Sequence, residues 1–132
     1  MRIIIYRGLP GAGKSTAARK DNSCNVIEAD DFFMINGEYR YDTEKSIDAH
    51  MYCRSLACLN LFNGNDVAVA NTFITQEQLD PYIDIARRYG ASLEVVECTG
   101  TFSTVHNVPE AVIDNMKNNW EDVIVPDDVK FV

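Results

Sequence analysis

The stretch Gly8-Leu9-Pro10-Gly11-Ala12-Gly13-Lys14-Ser15 decides the fold of this 132-residue chain. It follows a short apolar run, residues 2–6, whose pattern is typical of a strand buried on both faces of a parallel sheet. A helix is predicted directly after it, over about residues 14–20. A glycine-rich turn with the spacing G-x-x-x-x-G-K-[ST], placed between a strand and a helix, is a P-loop. The sequence therefore predicts nucleotide binding at this turn.

Each part of the P-loop has an expected task. The glycines let successive backbone N–H groups turn toward phosphates at the positive end of a helix. Lys14 is expected to reach the β and γ phosphates, Ser15 to supply a hydroxyl ligand to Mg²⁺, and Thr16 to lie near the α-phosphate. ATP with Mg²⁺ is therefore the predicted cofactor pair. The predicted nucleotide-binding residues are Gly8, Leu9, Pro10, Gly11, Ala12, Gly13, Lys14, Ser15 and Thr16.

Strands and helices are predicted to alternate along the rest of the chain. A tight turn is expected at Asn36-Gly37. The further predicted strands are 24–28, 67–70 and 92–98. A long helix is predicted over 43–63, and a last helix is predicted to start at Pro109. Between them, a helix that ends at Tyr89 is predicted to start at Thr75, with a second start at Asp80-Pro81. This alternation predicts the α/β class, as a P-loop NTPase three-layer αβα sandwich with a small, mostly parallel sheet of four or five strands.

Two of these helices carry apolar residues at helical spacing, which predicts that they face the core. In the long helix they are Ile47, Met51, Cys58 and Phe62. In the last helix they are Val112, Ile113, Met116 and Trp120. No structure is assigned to the tail, residues 121–132.

Composition limits the class of protein. We expect residues 1–132 to form a single domain, because this length can bury one core. No apolar run is long enough for a membrane span, and no signal peptide is recognisable, so a cytoplasmic protein is predicted. The four cysteines form no C-x-x-C pair, which favours reduced, mostly buried thiols over a zinc site. The net charge of −8 makes extended binding to duplex nucleic acid improbable and favours small or end-on substrates.

Two adjacent acids come directly after the second predicted strand. Asp30 and Asp31 lie at the carboxyl end of that strand, the edge where open α/β sheets bind their ligands. A carboxylate there can accept the proton of an attacking hydroxyl during phosphoryl transfer. The alternative is a pair of solvated loop acids or a helix cap.

The chain resembles the P-loop kinase family that includes the 5′-hydroxyl kinase domain of phage polynucleotide kinase, and most closely its small stand-alone ATP-binding members. The resemblance spans about residues 2–122. It is most specific at residues 7–16 and at Ala29-Asp30-Asp31-Phe32-Phe33. Weaker matches follow in the same order at 36–42, 49–50, 70–72 and 105–109.

The resemblance implies roles for particular residues. Asp30 would be the catalytic base that activates the acceptor hydroxyl, with Lys14 as the catalytic cation. Asn71, next to Thr72 at the end of the third strand, would contact Mg²⁺ through water, with a strand-end turn as the alternative for these two residues. The phosphate donor and the acceptor would lie on opposite sides of the P-loop.

The chain departs from the family at two places. Phe33 stands where polynucleotide kinases have an arginine that grips the acceptor phosphate. The expected lid, residues 99–108, is short and contains no Lys or Arg, so His106 is the one residue in it that can become a cation. Arginines that stabilise the transferred phosphoryl group must then come from elsewhere in the chain or from a partner.

Other cations are candidates for that task. His50 and Arg54 share a helix face by their i,i+4 spacing, Arg40 follows the Asn-Gly turn, and Arg7 directly precedes the P-loop. For Arg40 and Arg54 the favoured alternative is a surface cation with an acidic neighbour, and the helix dipole accounts for Arg87 and Arg88. The residues predicted for a possible acceptor site are Asp31, Arg40, His50 and Arg54.

Two hypotheses of function follow. The first is an ATP-dependent phosphotransferase whose acceptor is a hydroxyl of a nucleic acid 5′ end, a nucleoside or a related small molecule. The second is an ATP-binding module or slow ATPase with a degenerate lid that acts through a partner protein.

Overall fold

A four-stranded parallel sheet lies at the centre of the structure, a computed structural model that describes residues 1–21, 25–101 and 108–130. The strands in the described residues are β1 (Arg2–Arg7), β2 (Asn25–Ile27), β3 (Met34–Ile35), β4 (Glu38–Tyr39), β5 (Val67–Asn71) and β6 (Ser92–Glu97). In the sheet, β1 pairs with a strand on each side, and the spatial order is β2-β5-β1-β6. β3 and β4 form a separate two-stranded hairpin, joined by the predicted Asn36-Gly37 turn.

Helices cover both faces of the sheet. The helices in the described ranges are α1 (Lys14–Asp21), α2 (Ser46–Phe62), α3 (Gln76–Tyr89) and α4 (Glu110–Asn118). α1 packs against Ile4 and Tyr6, whereas α2 and α3 pack against Ile3 and Ile5 on the other face. The predicted three-layer αβα architecture is confirmed. None of these helices combines the length and apolar content that a membrane crossing requires.

α3 has a single start. The Thr75 hydroxyl accepts a hydrogen bond from the Gln78 N–H at 3.4 Å, as the predicted capping box requires. The helix then continues through Pro81 to Gly90, which ends it with a φ of 66°. The second start predicted at Asp80-Pro81 is therefore wrong, because the first-turn cap already begins the helix five residues earlier.

The prediction that one apolar stripe of α2 faces the core is wrong for three of its four residues. Ile47, Met51 and Phe62 are 73%, 55% and 76% exposed, whereas Cys58 is half-buried and packs against the core. The helix instead turns mainly small side chains toward the sheet, which lets its backbone approach the strands closely. The buried residues of α2 are Ala49, Cys53, Ala57 and Leu61.

α4 contributes no fully buried residue. Val112 is 42% exposed, so the prediction that it points inward is wrong. Ile113 and Met116 are half-buried. Trp120 is also half-buried, but it lies after the end of the helix at Asn118 and not on the helix as predicted. The amphipathic spacing identified the side of α4 that faces the protein, but the side chains on that side are only partly buried.

The C-terminal segment, residues 121–130, packs beside α3 and β6. Val129 is 3% exposed, and Lys130 forms a parallel bridge with Leu93 at the edge of the sheet. Arg87 donates two hydrogen bonds to Asp128, at 2.7 and 3.0 Å. The helix dipole alone therefore does not account for Arg87, because this side chain also holds the C-terminal segment against α3.

Candidate active site

The P-loop leaves β1 through a space that only glycine fits. A Cβ on Gly8 would lie 2.7 Å from the carbonyl oxygen of Cys98, at the end of β6. Gly11 and Gly13 have φ values of 82° and 88°, which favour glycine. The loop ends where α1 begins at Lys14, so its backbone lies at the positive end of a helix. This geometry suits phosphate binding.

Lys14 lies in the loop beside acidic residues. Its Nζ donates a hydrogen bond to the carbonyl oxygen of Leu9 at 2.9 Å. Burial lowers the pKa of Lys14, whereas Cys98, Asp30 and Glu28 act in the opposite direction. Lys14 therefore shares one electrostatic environment with the two carboxylates that follow β2.

The Ser15 hydroxyl contacts a carboxylate that the sequence analysis did not single out. Its Oγ–H donates to Oε1 of Glu28, and the other oxygen of Glu28 accepts a hydrogen bond from Arg19 at 2.8 Å. The Glu28 side chain is only 14% exposed. Its position two residues before Asp30, at the end of a strand, was the signal that could have identified it.

Asp30 lies on a 3₁₀ turn, Ala29–Phe33, directly after β2. It is half-buried, and the Tyr39 hydroxyl donates a hydrogen bond to its Oδ1 at 3.1 Å. Burial, reinforced by Asp30, raises the pKa of Tyr39, so the phenol remains a neutral donor. Tyr39 is a second residue that the sequence analysis missed, because the hairpin that brings it to Asp30 is a tertiary feature.

Asn71 connects the end of β5 to this acidic turn. Its Oδ1 accepts a hydrogen bond from the Ala29 N–H at 2.8 Å, and its Nδ2 lies 3.8 Å from the Cys53 sulfur. Burial raises the pKa of Cys53 to about 11. The Gly8 N–H donates to the Thr72 carbonyl oxygen at 3.3 Å, which joins the P-loop to the same strand end. The water-mediated magnesium contact of Asn71 remains a prediction.

Asp31 follows on the same turn and is more exposed than Asp30. Partial burial, reinforced by Glu28, raises its pKa, while Arg19 opposes the shift. Its N–H donates to the Glu28 carbonyl oxygen at 3.2 Å. The structure therefore brings Glu28, Asp30 and Asp31 together at one edge of the sheet.

Phe33 anchors the hairpin beside this edge. It is 4% exposed, and its ring lies 6.3 Å from that of Tyr39 and 5.0 Å from that of Tyr41. A groove of about 740 Å³ opens next to this aromatic cluster. Its lining residues are Phe32, Phe33, Ile35, Arg40, Tyr41, Asp42, Thr43, Glu44 and Lys45.

Arg7 does not serve as a cation for the P-loop. Its side chain is buried, and it donates hydrogen bonds to the carbonyl oxygens of Phe73, Ile74 and Glu121, at 2.9, 3.3 and 2.8 Å. The guanidinium also lies 3.8 Å from the centroid of the Trp120 ring. Its proximity to the P-loop in the sequence was misleading, because the side chain of the last β1 residue joins β1 to the start of α3 and to the C-terminal segment.

The other candidate cations have contacts within their own segments. Arg40 is exposed and pairs with Glu38 at 2.8 Å. Arg54 Nε donates to the backbone carbonyl of His50, and partial burial, with Arg54, lowers the pKa of that histidine. Their roles at an acceptor site remain predictions. Thr16 is exposed on the first turn of α1, and its contact with the α-phosphate also remains a prediction.

The predicted lid lies mostly outside the described residues, including His106. Its first residues are described, and the Gly100 N–H donates to the Ala12 carbonyl oxygen at 3.2 Å. The segment after β6 therefore starts in contact with the P-loop.

The donor atoms fit a hard cation with bound phosphates. Ser15 offers a hydroxyl oxygen, with Glu28 and Asp30 as nearby carboxylates, and Mg²⁺ prefers oxygen ligands. No group of three or more His, Cys, Asp or Glu residues in the described ranges can hold a metal by itself.

A parallel sheet, a phosphate-binding loop before α1 and a carboxylate after β2 define a P-loop kinase-type domain. A family model described as "AAA domain" matches residues 3–105. The chain therefore belongs to this family.

One protein is similar in sequence to part of this chain, and two solved structures share its fold. The chain is 32% identical over 93 residues to human NEDD4-binding protein 2, covering 66% of this chain but only 5% of that protein. The structure matches the Pnkp1/Rnl/Hen1 RNA repair complex with a TM-score of 0.67 at 19% identity, over 89% of this chain and 43% of that chain. It matches the Mycobacterium tuberculosis APS kinase CysC with a TM-score of 0.58 at 19% identity, over 89% and 92% of the two chains.

Proposed function

We propose that this chain is an ATP-dependent kinase that transfers the γ-phosphoryl group to a hydroxyl of a nucleic acid 5′ end, a nucleoside or a related small molecule. The observation that carries the proposal is the half-buried carboxylate of Asp30, which lies beside the P-loop and interacts electrostatically with Lys14. A carboxylate so placed can take the proton of an attacking hydroxyl.

Each residue then has a proposed role. The amides of the loop 8–15 and the Lys14 ammonium hold the phosphates, and Ser15 presents its hydroxyl oxygen to Mg²⁺. When bound, Mg²⁺ neutralises charge on the phosphate oxygens. Asp30 accepts the proton of the acceptor hydroxyl, while Tyr39 keeps the carboxylate oriented. Asn71 would help to hold Mg²⁺ through a water molecule.

The acceptor is proposed to bind on the hairpin side of Asp30. The groove there combines aromatic rings with Arg40 and Lys45, which suits an acceptor with both a ring and an anionic group. Asp31, His50 and Arg54 are the further residues proposed for this side. The net charge of −8, with Phe33 in place of an arginine, favours an acceptor smaller than a long duplex.

A second candidate function is an ATP-binding module or slow ATPase that acts through a partner protein. The observation that favours it is the absence of Lys and Arg from residues 99–108, together with the engagement of Arg7 elsewhere. For both functions we propose a single domain that acts in the cytoplasm.

The experiment that separates these functions is transfer of label from γ-labelled ATP to a panel of acceptors. The panel contains 5′-hydroxyl oligonucleotides, nucleosides and nucleotides, with EDTA and Lys14→Met as negative controls. We expect label on one acceptor class, lost with EDTA and reduced at least about 100-fold in Lys14→Met. ATP binding with no labelled acceptor would reject the kinase and support the binding module.

A further inference from the structure

The Glu28 carboxylate contacts the hydroxyl that a P-loop presents to its metal. Both of its oxygens are engaged, one by the Ser15 Oγ–H and the other by Arg19 at 2.8 Å. The Glu28 side chain is only 14% exposed, and burying a carboxylate destabilises the folded protein unless its oxygens accept hydrogen bonds. These two bonds offset that loss of hydration. The contact therefore fixes the direction of the Ser15 hydroxyl.

That direction is the one a metal ligand needs. A hydroxyl has one hydrogen to donate and two lone pairs to offer. Because Glu28 takes the hydrogen, the lone pairs of Ser15 Oγ remain for a cation. Groups that orient a metal ligand in this way commonly determine metal affinity.

The charge of Glu28 also matters at this edge. The neighbouring strand β5 ends in Asn71, a neutral side chain whose Oδ1 already accepts the Ala29 N–H. Glu28, in contrast, is close enough to Lys14 and Asp31 to shift the pKa of each. The carboxylate beside the Ser15 hydroxyl therefore follows β2, whereas β5 ends in an amide.

We propose that Glu28 is a positioning residue of the magnesium site, acting through the Ser15 hydroxyl and held in place by Arg19. The inference rests on the nucleotide-binding half of the proposed function. It does not depend on the acceptor or on Asp30 as base.

The test measures binding rather than turnover. The affinity for a fluorescent ATP analogue is measured during a Mg²⁺ titration, for wild type, Glu28→Ala and Glu28→Gln. We expect Glu28→Ala to raise the half-saturating Mg²⁺ concentration by about 10- to 100-fold. Glu28→Gln keeps a hydrogen-bond acceptor and should recover part of the loss. The affinity of Glu28→Ala for the ATP analogue without Mg²⁺ should not fall, because this substitution removes a negative charge beside the phosphates.

Glu38→Ala is the matched control. Glu38 also pairs with an arginine, Arg40, at 2.8 Å, but it is exposed on the hairpin. We expect its Mg²⁺ dependence to equal that of wild type. In a Ser15→Ala background, Glu28→Ala should raise the Mg²⁺ requirement much less than it does in wild type, because the hydroxyl through which it acts is absent and only the loss of its charge remains.

The inference would be overturned if Glu28→Ala changed the Mg²⁺ requirement less than twofold. It would also be overturned if Glu28→Ala lost the same affinity for the ATP analogue with and without Mg²⁺. A third contradicting result is that the Ser15 and Glu28 substitutions have additive effects on the Mg²⁺ requirement. If Glu28→Ala does not fold, Glu28→Gln is judged by the same limits. Mg²⁺-dependent binding without any acceptor phosphorylation would remove the kinase proposal and leave this inference standing.

Discussion

At the scale of single residues, the hydrogen bond from Tyr39 to Asp30 joins the hairpin to the proposed base. A carboxylate with a fixed donor on one oxygen presents its other oxygen in a defined direction, which proton transfer requires. Tyr39 therefore acts through Asp30 and does not itself need to touch the substrate.

The substitution Tyr39→Phe removes the hydroxyl that donates this bond and keeps the aromatic ring. We expect kcat for phosphoryl transfer to fall by about tenfold, because a hydrogen bond to a charged group is lost, while KM for ATP stays unchanged. Tyr41→Phe is the matched control, since its ring also packs against Phe33. Steady-state kinetics of both variants checks the prediction, and equal losses would show that the phenol oxygen of Tyr39 has no special role.

At the scale of elements, Arg7 joins three parts of the fold through backbone carbonyls. It is 1% exposed, and its partners belong to the segment between β5 and α3 and to the C-terminal segment. Burial lowers its pKa, and Glu97 and two further acids oppose that shift. The arginine is therefore a structural connector.

Replacing Arg7 tests that assignment. Arg7→Met takes a donor away from each of three carbonyl groups, of which Ile74 keeps a second donor, the Glu121 N–H, so we expect the free energy of unfolding to fall by about 3 kcal/mol or more. Arg40→Met, which breaks an exposed ion pair, should cost less than about 1 kcal/mol. Urea denaturation of both variants measures the difference. A loss in Arg7→Met no larger than that in Arg40→Met would contradict the connector role.

The same elements show where sequence reasoning succeeds and where it fails. The β1–loop–α1 unit was predictable because its glycines and its apolar strand are determined locally. The buried face of α2 was not, because its apolar residues outline a second stripe and the sheet selects the smaller side chains Ala49, Cys53 and Ala57. Glu28 and Tyr39 were missed at the site for a related reason: their partners are distant in sequence and are brought together only by the fold.

At the scale of the whole molecule, three strand ends meet at one edge. β1 delivers the P-loop, β2 delivers Glu28 and Asp30, and β5 delivers Asn71. Their convergence follows from the parallel order of the sheet, which is why the sequence predicted the position of the site. The proposed acceptor would be selected instead by the groove and by the overall negative charge, and neither is encoded in a short motif.

The central claim is that Asp30 turns nucleotide binding into phosphoryl transfer. The most direct measurement compares transfer rate and ATP affinity in Asp30→Asn, with Asp48→Asn, an exposed acid on α2, as the control. We predict that Asp30→Asn loses about 100-fold or more in transfer rate while ATP affinity stays within about twofold, and that Asp48→Asn matches wild type in both. Transfer by Asp30→Asn at more than about a tenth of the wild-type rate would contradict the account.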